Sequence, residues 1–547
     1  MKKASVNKVT QALKKELGRS MKELKAPGHP RPYYISYLFR DSQTIEIWAR
    51  YGAICNDKKE NKRNCYTDVR VGSYGYDHVT KGGLSDNSTE SESYELLELP
   101  VEDSEDAIRF CLWRLTDAKY REAVSQFHGR KSRDVSYLDQ NKALPSFQKV
   151  KGDKLASPVK NLKIDTDHYK NLVKKASEVF KAYPEIKSSF CEFNSEVVTK
   201  IYVNSEGCEK VWQQRIFSLS AYMWYHSKKV NQDYTHVVHT ADLDELPDLR
   251  TFKKQIVEKI ESLYALEKSH EMTSFAGPVL LAPKPAGLFI HEVVGHRLEG
   301  NRLLSENEGR TFKDRVGQKI MHGDLSIYDD PSKKSFNKQS LVGHFPFDDE
   351  GVPSQKSLLV ERGVLKDFLT TRSPIKKTKH GSNGHARNHY HERPISRMGS
   401  LFIESHDGKS WEEMKALLIA EIKAKKLPYG FILQEVEGGE TETEAYDFQA
   451  FLGEITTAFK VYPNGKEVPV RGVDFVGTPL SSLANIMAVG NSYHVDNGFC
   501  GAESGTIPVS TVSPALLLSN LELQLKSPAK VTQYALPLPW FEKKKKS

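Results

Sequence analysis

The chain contains no apolar run approaching the roughly 18 residues that a membrane-crossing helix requires, so no such helix is expected. Its first segment, "MKKASVNKVTQALKKELGRSMKEL", has basic residues but not the continuous apolar stretch of a secretory signal. Cysteine is scarce, six residues in 547 (Cys55, Cys65, Cys111, Cys191, Cys208, Cys500), with no CxxC pair. That scarcity excludes a dense disulfide framework and favours reduced thiols in a cytoplasmic protein. Cys55 and Cys65, which flank a polar stretch, are the pair an exported protein would bridge. Charge of one sign is also limited: 79 Lys and Arg against 71 Asp and Glu give +8, and part of it sits in the "EKKKK" run before Ser547. With no zinc-finger or other nucleic-acid module spacing, neither nucleic acid nor a membrane is an expected partner.

A composition of 38% hydrophobic and 27% charged residues is that of a globular protein, and the length allows two or more compact units. Val6, Val9, Leu13, Leu17, Met21 and Leu24 recur at helical steps, and Pro27-Gly28 ends that stripe. Strand-like segments follow at Tyr33–Asp41, Thr44–Ile54 and Thr67–Tyr76, rich in aromatic and β-branched residues and read as an antiparallel meander. Residues 121–164 lack sustained periodicity and are predicted to be a long connection or flap. A second helical stripe runs through Tyr169, Leu172, Val173, Ala176, Val179 and Phe180, and Ser195–Gly207 reads as strands with a turn. A third helix carries Leu249, Phe252, Ile256, Ile260 and Leu263. The predicted class is α+β in two domains: an α+β unit over residues 1–269 and a β-rich unit over 270–547. Strand candidates in the second unit include "KSLLVERGVLKDFL", "FQAFLGEITTAFKVYPNGKEV" with a PNG turn, and "TIPVSTVSPALLLSNLELQL".

The chemistry concentrates in "GLFIHEVVGHRLEG", residues 287–300, after a short apolar strand (Val279–Ala282) and with Pro285 in a tolerated first-turn position. His291 and His296 are five apart, and at about 100° per residue they would lie about 140° apart on a regular helix. They converge only if a π-type bulge absorbs one residue, and Gly295 is the expected place for that slack because glycine accepts unusual backbone angles. The two imidazoles would then face one ion, with Glu292 positioned to take a proton from its water, the arrangement of zinc-dependent hydrolysis. A catalytic zinc wants a third protein ligand. Cys500 in "DNGFCGAESGTIPVS" is one candidate, although a lone cysteine is more often a small buried apolar residue. His385, His389 and His391 in "GHARNHYHERP" are others, although a stretch of this kind is more often a solvated or substrate-facing polar loop.

"HEVVGHRLEG", "DDEGVPSQKSLLVERGVLKDFL", "ARNHYHERPISRMGS" and "NGFCGAESGTIPVSTVSPALLLSNLEL" together resemble the TldD/PmbA family of zinc metallopeptidases, in particular its motif-bearing, TldD-like branch. The resemblance covers the second half and is much weaker in the first. It implies a dimer around a closed lumen, either a homodimer or a pair with a PmbA-like subunit, acting on unfolded or extended peptides. It also implies that His291, His296 and Cys500 hold Zn2+ and that Glu292 is the general base. The alternative reading is a catalytically silent, metal-stabilised peptide-binding subunit.

Overall fold

The computed structural model describes residues 1–79, 98–136, 144–305, 311–376, 381–443, 450–526, 536 and 538–541. The lysine run before Ser547 therefore lies outside the described residues. Helix α1 (Lys3–Glu23) buries Val6, Val9, Leu13 and Leu17 along its predicted stripe. The two strand segments expected at Tyr33–Asp41 and Thr44–Ile54 are one 19-residue strand, β1 (Pro32–Arg50), which turns through Tyr51-Gly52 into the equally long β2 (Ala53–Val71). Asp41 does not interrupt β1 because its charge is met within the sheet. Asp41 stands opposite Arg63 of β2 and accepts a hydrogen bond from its Nε at 2.7 Å, with both side chains buried. Cys55 and Cys65 lie on this continuous β2 strand, ten residues or roughly 33 Å apart along it, so they cannot bridge within one chain, and both are free thiols.

The expectation of a structureless flap over residues 121–164 is corrected at its start. Residues 121–136 belong to helix α2 (Glu105–Ser136), while 137–143 lie outside the described residues. Further on, β3 (Lys154–Ala156) runs parallel to the start of a sheet strand. That strand, β5 (Glu209–His226), pairs antiparallel with β4 (Ile186–Asn204) and with β6 (Asn231–Thr240). Helices α3 (Thr166–Ser177) and α4 (Leu249–Ala265) complete the first half, each with an aspartate at its N-cap whose side chain accepts a backbone N–H. The sheet runs β2-β1-β4-β5, with β3 and β6 both on β5.

Side-chain alternation gives this sheet two different faces. Odd positions of β1 and β4 (Ile35, Tyr37, Phe39, Ile201) pack under α1 and α2, and further along Ile47, Ala49 and Phe193 pack under α3 and α4. Even positions meet the second half of the chain: Leu38 and Tyr202 pack with Phe347, and Arg40 donates to the Tyr390 carbonyl at 2.9 Å. The buried Lys200 pairs with Asp349 at 2.7 Å.

The second half is built on a twelve-stranded sheet. Five of its strands close on themselves: β7 (Phe275–Leu281), β8 (Gly430–Thr441), β9 (Phe451–Val461), β10 (Val473–Gly477) and β12 (Gly505–Leu525), with β12 pairing back to β7. Closure removes the open edges that isolated strands would present. Strand β11 (Ile486–Ala502) hangs on β12 as a long hairpin. Helix α5 (Pro283–Ile290) opens with Pro283, whose missing N–H is harmless in a first turn. It packs its apolar face on the ring, where Phe289 meets Phe451 and Phe475 edge-on at 5.5 and 6.2 Å between ring centres.

Candidate metal centre

Helix α5 delivers the chain to His291 in regular geometry, and residues His291–Gly295 then form a π turn. The amide of His296 donates to the carbonyl of His291, five residues back, which absorbs the extra residue of the spacing. The two imidazoles end edge-to-face, 5.0 Å between centres and 82° between planes. Gly295 is not where unusual backbone angles are spent, because its φ of −53° and ψ of −60° are ordinary right-handed helix. A Cβ there would stand 2.2 Å from Met398 Sδ, so that side chain would have to shift to admit one.

Cys500 arrives from β11, opposite Ile507 in the hairpin, and its Sγ lies 3.3 Å from His296 Nε2. Among the described residues, His291, His296 and Cys500 form the one group whose donor atoms converge, all within 4.8 Å of one another and all buried. Glu292, also buried, holds Oε2 4.0 Å from His296 Nε2. His385, His389 and His391 do not join this group. His385 is fully buried against Asp329 at 3.1 Å, and His389 lines a separate cavity of about 300 Å³ together with Arg40 and Lys200.

The charges around the group couple its members, drawing the proton off the sulfur and onto the imidazoles. Burial works against the Cys500 thiolate, but the adjacent imidazoles of His296 and His291 outweigh it and hold that thiol well below its usual range. Burial likewise opposes charging of the imidazoles, yet the Cys500 sulfur raises His291, and Cys500 with Glu299 raises His296 well above its ordinary value. Glu299 is buried, which alone would raise its pKa, but His296 and Arg302 bring it down to about 2. Its Oε2 faces His296 Nδ1 at 3.2 Å and accepts from Arg302 Nη2 at 3.0 Å, and Arg302 continues to Glu503 at 2.7 Å. The sequence reading missed Glu299, although a carboxylate three residues after His296 sits at a spacing that reaches back to it. It also missed Arg397, whose position in "ISRMGS" gives no local signal.

The group opens into a cleft of about 670 Å³. Two stretches of backbone line it: Glu437–Thr443, and Asp496 to Glu503 of the hairpin. Strand β8 pairs with β7 only through residues 431–433, and Asp496–Cys500 pairs only with β12. Each stretch therefore keeps one ladder edge without a partner strand among the described residues.

Residues 275–525 match the family model described as the PmbA/TldA metallopeptidase C-terminal domain. A metalloprotease of Archaeoglobus fulgidus is 35% identical over 243 residues, 44% of this chain and 51% of that one. The chain thus spans about half the length of that curated relative. A zinc metalloprotease TldD homolog of Saccharolobus solfataricus is 24% identical over 420 residues, 75% of this chain and 85% of that one. The crystal structure of TldE from Thermococcus kodakarensis shares the fold with a TM-score of 0.59 at 15% identity, covering 94% of this chain and 100% of that one. Residues 275–525, the stretch that carries the His-Glu-His turn and its cysteine, are thus a C-terminal domain of the PmbA/TldD metallopeptidase type.

Proposed function

We propose that the protein is a zinc-dependent peptidase in which His291, His296 and Cys500 hold the metal and Glu292 is the general base. The observation that carries this reading is the convergence of two imidazoles and one thiol within 4.8 Å at the head of a cleft. The donor set fits the metal: two nitrogens and a thiolate-prone sulfur suit zinc and leave a fourth position for solvent or substrate. When bound, zinc supplies Lewis acidity that lowers the pKa of a coordinated water towards neutrality and polarises a carbonyl. Glu292 takes the proton of the attacking water on its carboxylate and returns it to the amine nitrogen as the C–N bond opens. Glu299 accepts the His296 Nδ1 proton, which fixes the tautomer that leaves Nε2 bare for the ion.

The substrate class follows from the cleft walls. Two strand edges without a partner strand among the described residues suit an extended peptide, because main-chain hydrogen bonds are common to all sequences. An unfolded segment can add itself as a strand; a folded domain cannot. We read the chain as two domains meeting near residue 270, working as a dimer with a second copy or with a PmbA-like subunit.

The test is Glu292→Gln in the full-length protein. We expect about one zinc per chain to be retained, while cleavage of an unfolded protein, followed by mass spectrometry, falls by about 10²–10⁴-fold. Unchanged cleavage in this variant removes Glu292 as the base. Peptide binding without cleavage by the unaltered protein points instead to a silent, metal-stabilised subunit.

A further inference from the structure

We propose that Arg397 and Glu299 act as one positioning device that ties the sulfur ligand to the imidazole ligand. This inference rests on the reading of His291, His296 and Cys500 as metal ligands. Cys500 and His296 are 204 positions apart in the chain and come from different elements, so nothing local fixes their separation. Arg397, fully buried, donates through Nη2 to Cys500 Sγ at 3.3 Å and to the Cys500 carbonyl at 2.7 Å. Its Nη1 donates to Ser504 Oγ at 3.0 Å and to the Gly505 carbonyl at 2.9 Å, so the guanidinium spans the whole hairpin end. On the other side, Arg397 Nε lies 3.4 Å from Glu299 Oε1. These two atoms are buried, and neither has a hydrogen bond of its own, so each is satisfied only by the charge of the other. The remaining oxygen of Glu299 faces His296 Nδ1 at 3.2 Å.

The chain of contacts therefore runs from sulfur to guanidinium to carboxylate to imidazole without a gap. Its two ends act on the ligands in opposite electronic directions. A carboxylate on Nδ1–H makes the imidazole a stronger donor, whereas an N–H pointing at sulfur draws electron density away from it. A guanidinium that only filled space at the hairpin would have no reason to place an N–H on the sulfur and its carbonyl together.

The experiment uses metal-free full-length protein titrated with Co2+, whose sulfur-to-cobalt charge-transfer absorption reports on the sulfur directly. In Arg397→Gln and Arg397→Lys that absorption should move to lower energy, and cobalt affinity should fall by about tenfold or more. Glu299→Gln should weaken cobalt by about tenfold while leaving the charge-transfer band in place, and it keeps the test alive if the arginine variants fail to fold. The double variant Arg397→Gln with Glu299→Gln should lose less affinity than the product of the single losses, because one device is being broken twice. Variants that bind cobalt like the unaltered protein, or losses that simply multiply, overturn the device while leaving the ligand reading intact. Failure of the unaltered protein to bind cobalt or zinc at all overturns both.

Discussion

Gly295→Ala and Gly300→Ala add the same methyl to the same short stretch, and the structure separates their effects by about 2 kcal/mol or more. At Gly295 the new carbon meets the end of Met398, 2.2 Å from Sδ and 3.0 Å from Cε. A thioether with three rotatable bonds can swing aside, so the overpacking cost falls at about 1 kcal/mol, the low end of the usual range. The backbone there is helical, and replacing glycine by alanine in a helix returns about 1 kcal/mol. The net effect is close to zero. At Gly300 the new carbon stands 2.6 Å from the Leu369 carbonyl oxygen and 2.7 Å from Ile375 Cδ1. That carbonyl is also the acceptor of the Gly300 amide at 2.8 Å, so it cannot retreat without stretching the bond. Overpacking of about 1–3 kcal/mol and a weakened hydrogen bond of about 1 kcal/mol then add. Urea unfolding of the two variants side by side, followed by circular dichroism, measures the difference directly. Equal midpoints, or a less stable Gly295 variant, would show that neighbour rigidity does not govern this turn.

Phe289→Ala should destabilise the second half by about 3–5 kcal/mol, since its ring is fully buried between Phe451 and Phe475, and denaturant unfolding reads the loss. Cys500→Ala should abolish the stoichiometric metal detected by elemental analysis while leaving far-UV dichroism unchanged, and full metal retention would remove the sulfur from the ligand set. His78 supplies a pH effect: burial, reinforced by Arg393, holds its pKa down to about 3. The folded protein thus binds fewer protons than the unfolded chain between about pH 3 and 6.5, so stability is lost as pH falls through that window, on the order of 5 kcal/mol in full. Unfolding free energy measured from pH 7 down to 4 should have a shallower slope in His78→Gln, and an identical slope would mean that His78 is not the group responsible.

The helices that could be read from the chain are those whose apolar residues recur on one face. α1, α3 and α4 each bury a stripe visible at three- and four-residue steps. Helix α2 escaped because its apolar residues surround it: Leu112, Leu115 and Phe127 are buried, while Phe110 and Trp113 are 55% and 47% exposed. The long strands escaped for the opposite reason. Polar residues such as Asp41 and Lys200 interrupt the alternation of β1 and β4, and only partners from other parts of the chain, Arg63 and Asp349, make their burial tolerable.

At the site, the five-residue spacing alone dictates that His291 and His296 need a distorted turn to face one another, because five residues do not fit one side of a regular helix. The same chain could not decide among Cys500, His385, His389 and His391, nor show what a Cβ at Gly295 would meet, nor point to Arg397. Those choices depend on which distant segments the closed ring of strands and the β11–β12 hairpin bring against the turn. Local periodicity carries information only across a few residues, whereas a contact spanning 204 positions exists only after the whole second half has packed.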